Sequence, residues 1–131
     1  MEKSILALVA TLAVLAACGP SQTPEQRAQS KAKTDRINAI WRTAETVDVN
    51  GNSYKIAVSP DRTFALMAPV KTGFDYSAAD LEALARAKTG CRADFSAGIL
   101  GAIGGYSDEV DLRHLQSIST NFRFWRADLK C

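Results

Sequence analysis

Apolar and polar positions divide the chain into stretches of distinct period. Residues 5–17 are an apolar block, interrupted only by Thr11, without a charge or a proline. Residues 24–36 are almost wholly polar, with Ala28 and Ala32 as exceptions. Ile37, Ile40, Trp41 and Ala44 then recur at spacings of three and four, which lines them along one helix face. The helix has a start signal upstream: Thr23 as cap, Pro24 at the first helical position and Gln26 to complete a capping box. The pattern predicts a helix whose first half is a solvated stem and whose second half docks on the domain.

From residue 46 to residue 70 the period changes to two, and a three-stranded antiparallel meander is expected. Val47 and Val49 alternate with polar neighbours, and Asn50-Gly51 supplies the positive φ angles of a tight hairpin. Tyr54, Ile56 and Val58 share one face of the second strand, with Lys55 and Ser59 opposite. Pro60-Asp61 suits the next turn, Phe64, Leu66 and Ala68 share a face of the third strand, and Pro69 ends it. A central helix follows, capped by Ser77 with Asp80 three residues on. Tyr76 and Leu81 are placed as a hydrophobic staple, and Gly90 stands at the stop. Its apolar face is Leu81, Leu84 and Ala85. Cys91, Ala93 and Phe95 read as the start of a strand. Residues 98–105 are a glycine-rich run around Ile99, Leu100 and Ile103, expected as a loop or bent strand pair. Residues 108–118 fit strand and helix periods alike, with a short helix preferred for Leu112, Leu115 and Ile118. Residues 121–129 read as a final strand, Phe122 and Phe124 on one side and Arg123 and Trp125 on the other. The fold class is therefore α+β: an N-terminal helix, a three-stranded antiparallel meander, a central helix, one or two further strands, and one disulfide.

Length and composition set bounds on function. The 131 residues suffice for one domain, 47% hydrophobic and 23% charged residues favour a folded chain, and a net charge of +2 lacks the basic excess of a nucleic-acid binder. The apolar block at 5–17 would span about 20 Å as a helix, short of a bilayer core of about 30 Å. It suits an export signal, with Lys3 at its positive end. It ends Leu15-Ala16-Ala17-Cys18-Gly19. An aliphatic residue, two small ones and then cysteine resembles the lipobox of bacterial lipoproteins. The resemblance covers the first 19 residues and implies diacylglycerol on the Cys18 thiol, cleavage before Cys18 and acylation (palmitate, for example) of the new amino group. It divides the chain into a signal peptide at 1–17, a lipidated polar tether or helical stem at 18–35, and a domain at 36–131. Gly19, in place of an aspartate, favours the outer membrane facing the periplasm in a Gram-negative host.

With Cys18 assigned to lipid, Cys91 and Cys131 form an even pair in an exported chain, where a disulfide is expected. Such a bridge closes a loop of roughly 40 residues, worth about 4 kcal/mol in the chain-entropy model. No Cys-x-x-Cys is present, and one histidine with two distant cysteines makes no zinc set, so neither cofactor nor metal is implied.

His114, the sole histidine, stands three residues after Asp111, with Ser107 and Ser117 nearby, but no nucleophile elbow or oxyanion loop accompanies them. Asp108, Glu109 and Asp111 cluster without calcium-loop spacing and read as acids near a helix start. The segment Phe122-Arg123-Phe124-Trp125-Arg126 mixes rings with forked donors, a composition suited to partner contact. The expected function is thus a non-enzymatic accessory or protein-binding module, membrane-anchored in the cell envelope. Its candidate partner surface is Ile99, Leu100, Ile103, Arg123, Trp125 and Arg126. An enzyme inhibitor or immunity-type protein presenting residues 98–106, and a small hydrolase using His114, are the alternatives.

Overall fold

The computed structural model describes residues 21–97, 107 and 109–131. Helix α1 runs Pro24–Trp41. The strands β1 (Glu45–Val49), β2 (Asn52–Val58) and β3 (Phe64–Pro69) follow. Next come α2 (Ala78–Thr89), β4 (Arg92–Phe95), α3 (Leu112–Ile118) and β5 (Trp125–Lys130). The strands form one sheet in the order β1-β2-β3-β5-β4, antiparallel at every pairing. This is the expected α+β architecture, and two strands follow the central helix. The glycine-rich segment with Ile99, Leu100 and Ile103, and the lipobox-like segment ending at Cys18, lie outside the described residues.

Local chemistry accounts for the boundaries. The Thr23 hydroxyl accepts from the Gln26 N–H at 3.2 Å, and the Gln26 side chain returns the bond to the Thr23 N–H at 2.9 Å. The same reciprocal box joins Ser77 and Asp80 at α2. Gly90 ends α2 in the left-handed region at φ 74°, a conformation that glycine adopts without a Cβ clash. Asn50 and Gly51 turn the first hairpin with φ 51° and 84°.

The second hairpin carries a buried serine. Ser59 is 1% exposed, and its Oγ accepts from the backbone N–H groups of Thr63 (3.0 Å) and Phe64 (3.1 Å). Asp61 bonds the Thr63 N–H and hydroxyl across the same turn, and Arg36 of α1 lies 3.3 Å from its other oxygen. Hydrogen bonds from Ser59 and Thr63 hold the Asp61 carboxyl down at about 2.

Each face of the sheet has its own cover. On one, Tyr54, Ile56, Ala65, Met67, Ala93, Ala127 and Leu129 pack with Leu81, Leu84 and Ala85 of α2 and Leu112 of α3. On the other, Ile40 of α1 buries Ala57, Phe64 and Leu66, with Ile37, Trp41 and Phe124 alongside. The first part of α1 makes no such contact: residues 21–36 are exposed throughout, and burial begins at Ile37. The end of β5 is tied to the start of β4 by the Cys91–Cys131 disulfide, Cα atoms 4.5 Å apart.

Reduction of the disulfide is expected to lower unfolding free energy by about 2–4 kcal/mol, read from urea unfolding with and without reductant. Ser59→Ala strips the Phe64 N–H of its acceptor, leaves the Thr63 N–H only its bond to Asp61, and should cost about 1–3 kcal/mol in the same assay. Because the folded Asp61 pKa is depressed, its stabilising contribution is full above the unfolded carboxylate range near 4 and is lost as pH falls towards about 2. Asp61→Asn should therefore flatten the acid limb of stability against pH between those values.

Candidate functional site: an aromatic cleft beside the Tyr76 relay

Tyr76 precedes the Ser77 cap of α2, so the helix start fixes its backbone. Its carbonyl accepts from the Leu112 N–H at 2.8 Å, and the bridge between Ser77 and Asp111 runs alongside. These contacts bring the beginnings of α2 and α3 together. The Tyr76 ring is buried edge-on to Tyr54, with Phe74 on its other neighbouring side.

The direction of hydrogen bonding at Tyr76 is set by its partners. Trp125 of β5 has only an indole N–H, which can donate but not accept. That N–H lies 2.7 Å from the Tyr76 oxygen, which is therefore an acceptor there. The phenol proton is then donated to Oε1 of Gln116 on α3. Gln116 is left with its amide N–H₂, for which no partner exists among the described residues. Burial is the main cause that raises the Tyr76 phenol to about 12, with the Trp125 bond opposing it.

Beside this relay lies a cleft of about 350 Å³ between the segment after β3 and α3. Phe74, Tyr76 and Phe122 give it an aromatic lining, and Lys71, Arg113 and Gln116 supply nitrogen donors. Lys71 has no acidic partner among the described residues, while Arg113 meets Asp75 at 3.1 Å. On the other side of Tyr76 an acidic concavity gathers Asp75, Asp80, Glu109 and Asp111. Most of these acids have local tasks: Asp80 and Asp111 cap helices, and Asp75 pairs with Arg113. No group of three or more metal-ligating side chains is found among the described residues.

The expected Arg/Trp surface is rearranged by the fold. Strand β5 begins at Trp125, and Asn121 ahead of it adopts φ 60°, so no continuous alternation runs from residue 121. Trp125 is half-buried on the side covered by α2 and α3, its ring against Phe95 and Phe122. Arg126 points to the other face, 4.2 Å over the Phe64 ring and 3.2 Å from Asp128. Arg123 donates to Asn38 of α1 at 2.6 Å and lies over Phe124. Trp125 and the arginines thus do not share a face, correcting the sequence-based grouping.

His114 is exposed on α3. The Ser117 hydroxyl donates to the His114 backbone carbonyl at 2.7 Å, and Asp111 accepts from the Arg113 N–H at 3.0 Å. No Ser–His–Asp relay forms among the described residues. Tyr76 was visible in the sequence only as a staple. Lys71, Phe74 and Gln116 gave no signal, because the cleft joins positions about 40 residues apart that no local period connects.

No family model matches this chain, and no curated protein or solved structure matches it either.

Tyr76→Phe leaves the Trp125 indole and the Gln116 carbonyl without their shared partner, and should cost about 1–3 kcal/mol in chemical unfolding. The folded Tyr76 pKa is raised, so its contribution is complete below about 10 and declines as pH rises towards about 12. The stability drop across that alkaline window should shrink in the variant.

Proposed function

We propose that the chain is an envelope lipoprotein: lipid on Cys18 holds it at a membrane, and the sheet domain is a non-enzymatic binding module. The observation that carries this reading is the unbroken exposure of residues 21–36, which directly follow the lipobox. A polar segment that buries nothing adds little to the stability of the domain, but it suits a spacer. From Pro24 to Arg36 the helix measures about 20 Å, a distance that lifts the domain clear of lipid headgroups. The capping box at Thr23 and the Lys31–Asp35 pair at 2.8 Å support helical form in the exposed half. No helix among the described residues is long and apolar enough to cross a membrane, and the attachment proposed is covalent lipid. In a Gram-negative host, Gly19 after the cysteine points to the outer membrane, facing the periplasm.

The disulfide fits an oxidising compartment. The binding role rests on the Tyr76 cleft, where aromatic rings meet Lys71, which has no acidic partner among the described residues, and the free amide N–H₂ of Gln116.

Metabolic labelling with an alkynyl palmitate analogue tests the anchor. The wild-type chain should take up label and fractionate with membranes. Cys18→Ala should lose the label and leave the membrane fraction, and inhibition of the lipoprotein signal peptidase should accumulate the uncut form. Equal labelling of wild type and Cys18→Ala would sink the proposal.

A further inference from the structure

We propose that the cleft beside Tyr76 binds a small organic acid, one carboxylate on an apolar body the size of an aromatic or branched side chain. Nothing in this inference depends on the anchoring through Cys18.

Three observations define the ligand. The first is size. A cleft of about 350 Å³ is at the small end of ligand sites, which start at about 300 Å³. The second is the lining. Phe74, Tyr76 and Phe122 offer ring surface, and Tyr76 and Phe74 are fixed against each other with centroids 6.0 Å apart. Rings in this arrangement favour a flat or branched apolar body over a bare inorganic anion.

The third observation is polarity, and it decides the class. The indole of Trp125 has no lone pair to offer, so the sequence Trp125 to Tyr76 to Gln116 runs in one direction only. The Gln116 carbonyl is engaged by Tyr76, and its N–H₂ remains for a visitor. Lys71 and Arg113 on the same rim also donate and cannot accept. Arg113 gives one N–H to Asp75 and keeps the rest of its fork. The Ser117 hydroxyl gives its proton to the His114 carbonyl and keeps an acceptor, and the Thr72 hydroxyl can serve either way, so the charged nitrogens set the preference. Two cationic side chains and a free amide N–H₂ on this rim favour a ligand that brings acceptors and negative charge, and a carboxylate supplies both in one planar group. A cation would meet like charge at Lys71 and Arg113.

Trp125 also provides the readout. The chain has two tryptophans. Trp125 ends the relay at the cleft, whereas Trp41 packs on Phe124 across the sheet. The full chain, purified in a non-ionic detergent with ¹⁵N-tryptophan, gives one indole signal for the site and one for reference. N-acetyl-L-phenylalanine should move the Trp125 signal saturably and leave Trp41 in place. Its neutral amide should bind about tenfold more weakly, the value of one charge-assisted contact. Acetate, which lacks the apolar body, should also bind more weakly. Lys71→Ala, an exposed change, should weaken the acid by a similar factor and leave the amide unaltered. Gln116→Glu should abolish acid binding by placing a carboxylate where the ligand's belongs. If that variant fails to fold, the comparison of acid, amide and Lys71→Ala still decides. Equal affinity for acid and amide, unaltered acid binding by Lys71→Ala, or no saturable Trp125 shift with the acid at tens of millimolar overturns the proposal.

Discussion

Strand β5 is the piece on which the rest of the sheet depends. It lies between β3 and β4, hydrogen-bonded to both, although it follows both in sequence. Without it the meander β1-β2-β3 would end at an open edge, and β4 would have no sheet to join. Its alternation serves both layers: Trp125, Ala127 and Leu129 enter the core under α2 and α3, while Arg126 and Asp128 face the side of α1. The disulfide holds this central piece in register by tying its end to the start of β4. For a domain this small, one covalent tie removes many of the extended alternatives open to the unfolded chain.

The covers of the two faces differ in character. The α2–α3 side is apolar, and a polar chain, Trp125 to Tyr76 to Gln116, opens at the surface into the cleft. The α1 side is narrow. Ile40 and its neighbours shield the centre of the sheet, and the flanks are left to charged pairs such as Arg126 with Asp128 and Lys130 with Asp94 at 3.6 Å. Such exposed pairs add little stability, so they keep this side soluble more than they bind it together. The aromatic cleft therefore falls on the better packed side, where rings can be held rigidly.

Local signals in the sequence were reliable where one element contains its own cause. Thr23-Pro24-Glu25-Gln26, Ser77 with Asp80, Asn50-Gly51 and Gly90 all stand where their capping or turn chemistry predicts. The pairing of Cys91 with Cys131 followed from setting Cys18 apart. What the sequence did not reveal is non-local. No period indicates that β5 inserts between β3 and β4. The cleft is equally silent, since Tyr76 finds Trp125 and Gln116 at separations of 49 and 40 residues. The misplacement of Trp125 has a definite origin. Regular alternation from residue 121 would put Trp125 on the face of Arg123, but Asn121 breaks extended backbone at φ 60° and the strand begins at Trp125. Phe122 and Trp125, three apart, therefore touch with ring centroids 4.9 Å apart, where a regular strand would hold them on opposite faces.

The position of β5 in sequence also orders events during biogenesis. A ribosome releases the chain amino end first, so the meander and α2 emerge while the slot between β3 and β4 is empty. During that interval two strand edges are open to foreign pairing, and Cys91 waits for its partner until a residue 40 positions later arrives. A nascent chain of this kind gains from delay: kept extended and reduced until it is complete, it meets its oxidant only once both sulfurs can reach each other.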